Sequence, residues 1–249
     1  MLSKNQIKFV RSLAQKKFRK QHRLFLTEGT KIVPEFLASS YQLHSLYALP
    51  PWLEQNKPAL PADAEVVTVA LKDLERISEL KTPNEVAGVF HMPQPTFNWS
   101  LQQGLLPVLD GIQDPGNLGT IVRTADWFGL KQVICSENCV DVFNPKTVQS
   151  TMGSLSRVAV HYVDLPSWLE QVPAGTEIYG AVMDGTSLYQ QTFSKNGLLV
   201  LGNESNGISE AVMAKVQHPT TIPAFGGAES LNVAMAHAII SSEYKRQHA

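Results

Sequence analysis

Apolar residues recur along this chain in two rhythms. Near the start they follow helical spacing: Ile7, Val10, Ala14 and Phe18, with cations between them, after a Ser3/Gln6 pair that matches a capping box. One amino-terminal helix is expected there. Short apolar runs then alternate with helical stretches: Leu24–Leu26, a helix near Lys31–Ala38, Leu43–Leu49, a turn at Pro50-Pro51, Val66–Ala70, a helix near Leu71–Glu79, and Val86–His91. These describe a small α/β unit.

Met92 to Asn98 carries Pro93 and Pro95, which interrupt both rhythms, so a linker is placed at 92–98, between a domain at 1–97 and a second at 99–249. Beyond it, strands are expected at Leu105–Leu109, Val133–Cys135, Val158–His161, Ile178–Met183, Leu198–Leu201 and Thr220–Ile222. Uninterrupted apolar strands separated by helices predict a mostly parallel sheet covered on both faces. Ligands of such sheets bind beyond the carboxyl ends of the strands, so the loops there are where chemistry belongs.

Three of those loops share a character. The first runs from Asp110 to Gly119 and enters a helix with Leu118, Ile121, Val122, Ala125 and Phe128 on one stripe, stopped by Gly129. Asn117 suits its N-cap, and Arg123 lies off the apolar stripe, free to grip a phosphate. The second is Gly202-Asn203-Glu204-Ser205-Asn206-Gly207, where glycine at the strand exit admits a ligand close to the backbone and Glu204 could partner a cation. A plain surface turn would use the same residues. The third runs from Ile222 to Ala236; Ser230 is a plausible N-cap for the last helix, with Asn232 inside it. His237 is more readily a packed or surface histidine than a ligand.

Composition narrows the class. The chain has 249 residues and 43 % hydrophobic content, ordinary for a globular protein, with no run of about 18 apolar residues to span a membrane. Cys135 and Cys139, four positions apart, cannot make a secreted disulfide scaffold, and a cytosolic compartment is the default. No metal site is expected. Phosphate-loop, dinucleotide and nucleophile-elbow motifs are all absent. The net charge of −1 hides a split: residues 1–31 hold nine Lys/Arg and one acid, the rest 12 basic and 21 acidic residues. Such polarity points to a polyanion at the amino-terminal end, beside the blander reading of a solvated helix face. A transit peptide would also be basic, but this segment lacks serine richness and runs straight into a strand.

Together the loops resemble the SpoU (TrmH-like) family of RNA ribose 2′-O-methyltransferases in the SPOUT superfamily. The matching stretches are D-P-x-N-x-G-x-x-x-R within Asp110–Arg123, G-N-E-x-x-G within Leu201–Gly207, and I-P-x-x-G-x-x-x-S-L-N-V within Ile222–Ala234. Ala224 and Ala234 depart from the family's frequent Met and Ser. The first ninety-odd residues look like the ribosomal-protein-like domain that often precedes this catalytic domain, most of all at Phe25–Lys31. The resemblance implies a carboxy-terminal trefoil knot, homodimerisation through the catalytic domain, and S-adenosylmethionine held by backbone groups at Gly202, Ile222 and Leu231. It makes Arg123 the central catalytic residue, with Asn117, Glu204, Ser230 and Asn232 positioning it and the RNA. The implied substrate is rRNA in preference to tRNA. The alternatives are a non-catalytic RNA-binding or ribosome-assembly protein that kept the fold, and a small-molecule enzyme binding another nucleotide.

Overall fold

The computed structural model describes residues 1–57, 60–61, 64–99 and 102–248, which group into two units. The first comprises 1–94 together with Asp141–Arg157, and the second 95–140 together with Val158–Ala249. The internal stretch Asp141–Arg157 thus belongs with the amino-terminal residues, which a single cut at 92–98 does not describe.

In the first unit, helix α1 (Lys4–Ser12) opens on the expected capping box, with both the Ser3 and Gln6 bonds made. The single helix expected through Phe18 is in fact two: α2 (Lys16–His22) begins after a turn at Leu13–Gln15. The cause is Arg19. Its guanidinium donates hydrogen bonds to the carbonyls of Leu13 (2.8 Å) and Ala14 (2.7 Å), which in a continued helix would have accepted from the amides of Lys17 and Phe18. Asp141 completes the pair at 2.7 Å, and Arg19 is only 1 % exposed. One of the nine amino-terminal cations is therefore a core residue. Arg23 takes a left-handed conformation (φ 59°) and turns α2 directly into strand β1 (Leu24–Glu28).

The sheet is completed by β2 (Leu43–Ala48), β3 (Glu65–Thr68) and β4 (Val86–His91) in the order β1-β4-β2-β3, antiparallel except for β2–β3. Helices α3 (Ile32–Leu37), α4 (Pro50–Asn56) and α5 (Leu71–Ile77) connect the strands. Pro50-Pro51, expected as a turn, starts α4 instead, because proline's missing N–H costs nothing in the first turn of a helix. Phe143, from the inserted stretch, packs 4.7 Å from Phe25 of β1.

The second unit is a six-stranded, wholly parallel sheet in the order β10-β8-β9-β5-β6-β7: β5 (Leu105–Leu109), β6 (Gln132–Ser136), β7 (Ala159–Val163), β8 (Glu177–Ser187), β9 (Gly197–Leu201) and β10 (His218–Thr221). Every residue of β5 and β9 is buried, which is why they read as unbroken apolar runs. The chain runs outward from β5 through β6 to β7, then returns to build β8, β9 and β10 on the other side. The order reverses between β5 and β9, the switch point where ligands of open parallel sheets bind. After α6 (Pro115–Trp127) come α7 (Pro145–Ser150), in the stretch that belongs to the first unit, then α8 (Leu165–Leu169), α9 (Glu210–Met213) and α10 (Val233–His248); α6 follows β5 and packs against α10.

Candidate active site

The loops leaving β5 and β9 flank that switch point, and side chains bond them across it. Asn117 donates from Nδ2 to the Glu204 carboxylate, and its Oδ1 accepts from Asn232 Nδ2 at 2.9 Å. Asn232 Oδ1 accepts from the amides of Ala234 (3.0 Å) and Met235 (3.3 Å). The directions are forced. A carboxylate only accepts, so Asn117 must turn its amide group to Glu204 and its oxygen to Asn232, which leaves the Asn232 oxygen for the helix end. One chain of bonds thus joins three segments separated by 87 and 115 residues from Asn117.

Two capping assignments need correcting. The N-cap of α6 is Asp114, whose carboxylate accepts from the Asn117 amide at 2.8 Å, with Pro115 in the first helical position. Asn117 sits one turn in, and its side chain is released to reach Glu204 and Asn232. At the last helix the cap is Asn232, outside the helix, while Ser230 lies two residues earlier in an exposed loop. An amide that caps with its oxygen and donates with its nitrogen explains asparagine at 232, where a helix-interior asparagine had no reason.

Beside this junction lies a cavity of about 520 Å³, lined by the β9 exit, the Ile222–Leu231 loop and one wall of β8. Gly202, Ile222 and Leu231, the expected cofactor-holding residues, all line it, as do Glu204 and Ser230. Glycine is required at 202: a Cβ there would stand 2.2 Å from the Gly207 carbonyl carbon and 2.3 Å from the Ile208 nitrogen. Asn203 and Gly207 close this hairpin by exchanging backbone bonds of 2.9 and 2.8 Å, and Gly207 turns at φ +68°.

Several contributors escaped the sequence reading. Asn203 donates from Nδ2 to the Gly111 carbonyl at 2.8 Å, and Asp110 accepts from the Ser209 amide at 2.8 Å, so each loop is tied to the other by its own polar residue. Both stand next to a strand end, the one signal that could have found them. Ala181, Val182 and Met183 form a wall where β8 and β10 part: Pro219 pairs with Gly180 but Thr220 with Thr186. Such irregularities recur beside active sites, and nothing in the local sequence announces this one. Phe225, 92 % exposed, is also among the lining residues.

Arg123 is not drawn into the junction. It lies on the solvent face of α6, two turns from Asn117 and outside the cavity lining, with no ion pair among the described residues. Trp127, one turn further on that face, is 85 % exposed. His237 is packed, as expected, and wholly buried; among the described residues neither of its ring nitrogens has a hydrogen-bond partner, nor does the Ser241 hydroxyl one turn on. Burial pushes the His237 imidazole down to about 4.

Comparison with known proteins adds the context for this geometry. The SpoU rRNA Methylase family matches residues 104–242, and the MRM3-like substrate binding domain matches residues 4–88. The chain is 34 % identical to the 23S rRNA (guanosine(2553)-2′-O)-methyltransferase RlmP of Bacillus subtilis (strain 168), over 96 % of this chain and 95 % of that protein. Among solved structures, a putative RNA methyltransferase of the TrmH family from Porphyromonas gingivalis superposes with a TM-score of 0.91 at 42 % identity, covering 99 % of both chains. An AdoMet-bound rRNA methyltransferase from Sinorhizobium meliloti gives 0.91 at 29 % identity, covering 100 % of this chain and 97 % of that one.

Proposed function

Because the chain belongs to the SpoU rRNA Methylase family, we propose that it methylates a ribose 2′-hydroxyl of structured RNA, rRNA in preference to tRNA, using S-adenosylmethionine. The observation that carries this reading is the Asn117–Glu204–Asn232 junction beside a cavity framed by Gly202, Ile222 and Leu231.

The cavity fits such a methyl donor. Its volume lies within the roughly 300–1,000 Å³ typical of small-ligand sites. Glycine at 202 lets the Gly207–Ile208 backbone fold back against the β9 exit, and Glu204 sets a carboxylate in the lining. Backbone groups of Gly202, Ile222 and Leu231 would hold the nucleoside. When bound, S-adenosylmethionine supplies an electrophilic methyl group on a sulfonium.

Arg123 grips the phosphate next to the target ribose and orients the sugar for in-line attack. A guanidinium stays protonated at any working pH, so Arg123 stabilises the developing alkoxide and does not act as a base, and the 2′-hydroxyl proton leaves to solvent water. Asn117, Glu204, Ser230 and Asn232 fix the loops on which the RNA and the donor meet. Placement of Arg123 and Trp127 on one open face of α6 supports a homodimer in which the indole is an anchor. Pairing across such a dimer decides which cavity Arg123 serves. A trefoil knot through the carboxy-terminal loops, RNA docking by residues 1–97, catalysis by 99–249 and a cytoplasmic location complete the proposal.

Calorimetry with S-adenosylhomocysteine tests the cavity directly. Stoichiometric uptake by the wild type, lost in Gly202→Val, is expected; no uptake by the wild type overturns the reading.

A further inference from the structure

Five rings form a row on the surface of the first unit. Phe18 and His22 of α2 lie 6.5 Å apart and nearly parallel, at 16°. His22 meets Phe9 of α1 at 5.4 Å, Phe9 meets His44 of β2 at 5.8 Å, and His44 meets His91 of β4 at 5.7 Å. His22 and His91 are exposed, the other three half-buried. The row exists because the first residues of β2 and the last of β4 pair side by side, Leu43 opposite Phe90, beneath the two helices.

Stability alone does not call for this arrangement. Phe9 packs against the hydrophobic core, whereas His22 and His91 are exposed. The contacts between successive partners are edge-to-face (80°) or tilted (40° and 58°), and the exposed His22 and His91, at the ends of α2 and β4, leave ring surface for a flat ligand. Three imidazoles raise the question of a metal, but among the described residues no group of three or more His, Cys, Asp and Glu is placed to hold one. Burial and the neighbouring His91 and His22 push the His44 imidazole down against the opposing pull of Glu65, favouring the neutral ring.

The surroundings specify the ligand. Residues 1–27 contain no acid, and Lys8, Lys17, Lys20 and Arg23, on the elements that carry the row, are all exposed. Lys17 Nζ stands 5.9 Å from the centre of the Phe18 ring. Stacking faces interleaved with cations match unpaired nucleic acid, in which bases lie on rings while phosphates meet the charges. A duplex hides its base faces and could use the cations alone. We propose that Phe18, His22, Phe9, His44 and His91 form a platform on which unpaired bases of the RNA substrate stack, so that the first unit selects a single-stranded loop or bulge flanking the methylation site. This rests on the RNA reading above and deepens it.

The test uses the full-length protein and a short unstructured oligoribonucleotide carrying 2-aminopurine, beside the same sequence annealed to its complement. The wild type should bind the single strand more tightly than the duplex and quench the 2-aminopurine fluorescence. The exposed pair His22→Ala/His91→Ala should weaken single-strand binding by roughly five- to a hundred-fold and abolish quenching, with the salt dependence of binding unchanged. His22→Phe/His91→Phe, which keeps the rings, should restore both. Equal affinity for strand and duplex, or an alanine pair that binds and quenches as the wild type does, overturns the platform. Uptake of S-adenosylhomocysteine by the wild type and the same variants separates the two readings: its absence in the wild type sinks the methyltransferase, whereas normal uptake with RNA binding unaltered in the alanine pair sinks the platform alone.

Discussion

The two sheets of this protein use their strand ends in different ways. In the parallel sheet every strand points the same way, so the loops after β5, β9 and β10 emerge at one edge. That is enough to bring Asn117, Glu204 and Asn232 into hydrogen-bond contact and to frame a cavity. In the four-stranded sheet two of the three pairings are antiparallel, so strand ends alternate between edges. What forms there is a surface, a row of rings and cations drawn from helices and strand termini. Parallel topology concentrates backbone turns, which suit a small ligand with defined hydrogen bonds. The mixed sheet spreads side chains, which suits an extended polymer.

Substitutions can break each half of the comparison separately, and the largest effect belongs to the first unit. Arg19, 1 % exposed, is neutralised by Asp141, which is contributed by the inserted stretch. Asp141→Ala leaves a buried guanidinium without its counter-charge, a loss of about 3–5 kcal/mol. Denaturant unfolding should show the amino-terminal unit melting first. An unchanged midpoint would mean that Arg19 is held by the Leu13 and Ala14 carbonyls alone.

Next is Arg123. It is exposed, outside the cavity lining and without an ion pair among the described residues, so truncation should leave the fold intact. Arg123→Ala should lower methyl transfer by on the order of 10²–10³-fold, the cost of removing one preorganised charge-stabilising group. S-adenosylhomocysteine binding should be unchanged. Near-normal transfer would remove Arg123 from the reaction.

The third effect sits in α10, and it depends on pH. Buried His237 has an imidazole near 4, against an ordinary value near 6.5. Between those values the unfolded chain holds a proton on this ring that the folded chain does not. Stability is therefore complete above about pH 6.5, falls as the pH drops towards 4, and has lost about 3 kcal/mol below that. His237→Leu should remove this acid sensitivity, read as a flatter plot of melting temperature against pH in the second unit.

These residues also mark what the sequence could and could not reveal. The strands of the second unit were legible because burial on both faces makes them continuous apolar runs. The three loops were legible because glycine and asparagine cluster where the backbone must turn beside a ligand. The break between α1 and α2 was not, since a buried arginine reaching back to two carbonyls leaves no local trace in an otherwise helical, cationic stretch. Nor was the partnership of Arg19 with Asp141, 122 residues away. The Ala181–Met183 wall depends on a register change between β8 and β10, which is a property of two strands and of neither sequence alone.

The smallest effect is the most discriminating for the junction. Asn232 does two jobs with one amide: its oxygen caps α10 and its nitrogen holds Asn117. Asn232→Asp keeps the capping oxygen, and adds a favourable negative charge at the helix start, but cannot donate to Asn117. Asn232→Ala loses both functions, with a capping cost of about 1 kcal/mol. Thermal unfolding should therefore rank the aspartate variant close to the wild type and the alanine variant below it. Methyl transfer should fall in both, because Asn117 loses its anchor and a second carboxylate now faces Glu204 across it. Full activity in Asn232→Asp would reduce this residue to a helix cap and leave Asn117 and Glu204 to hold the loops alone.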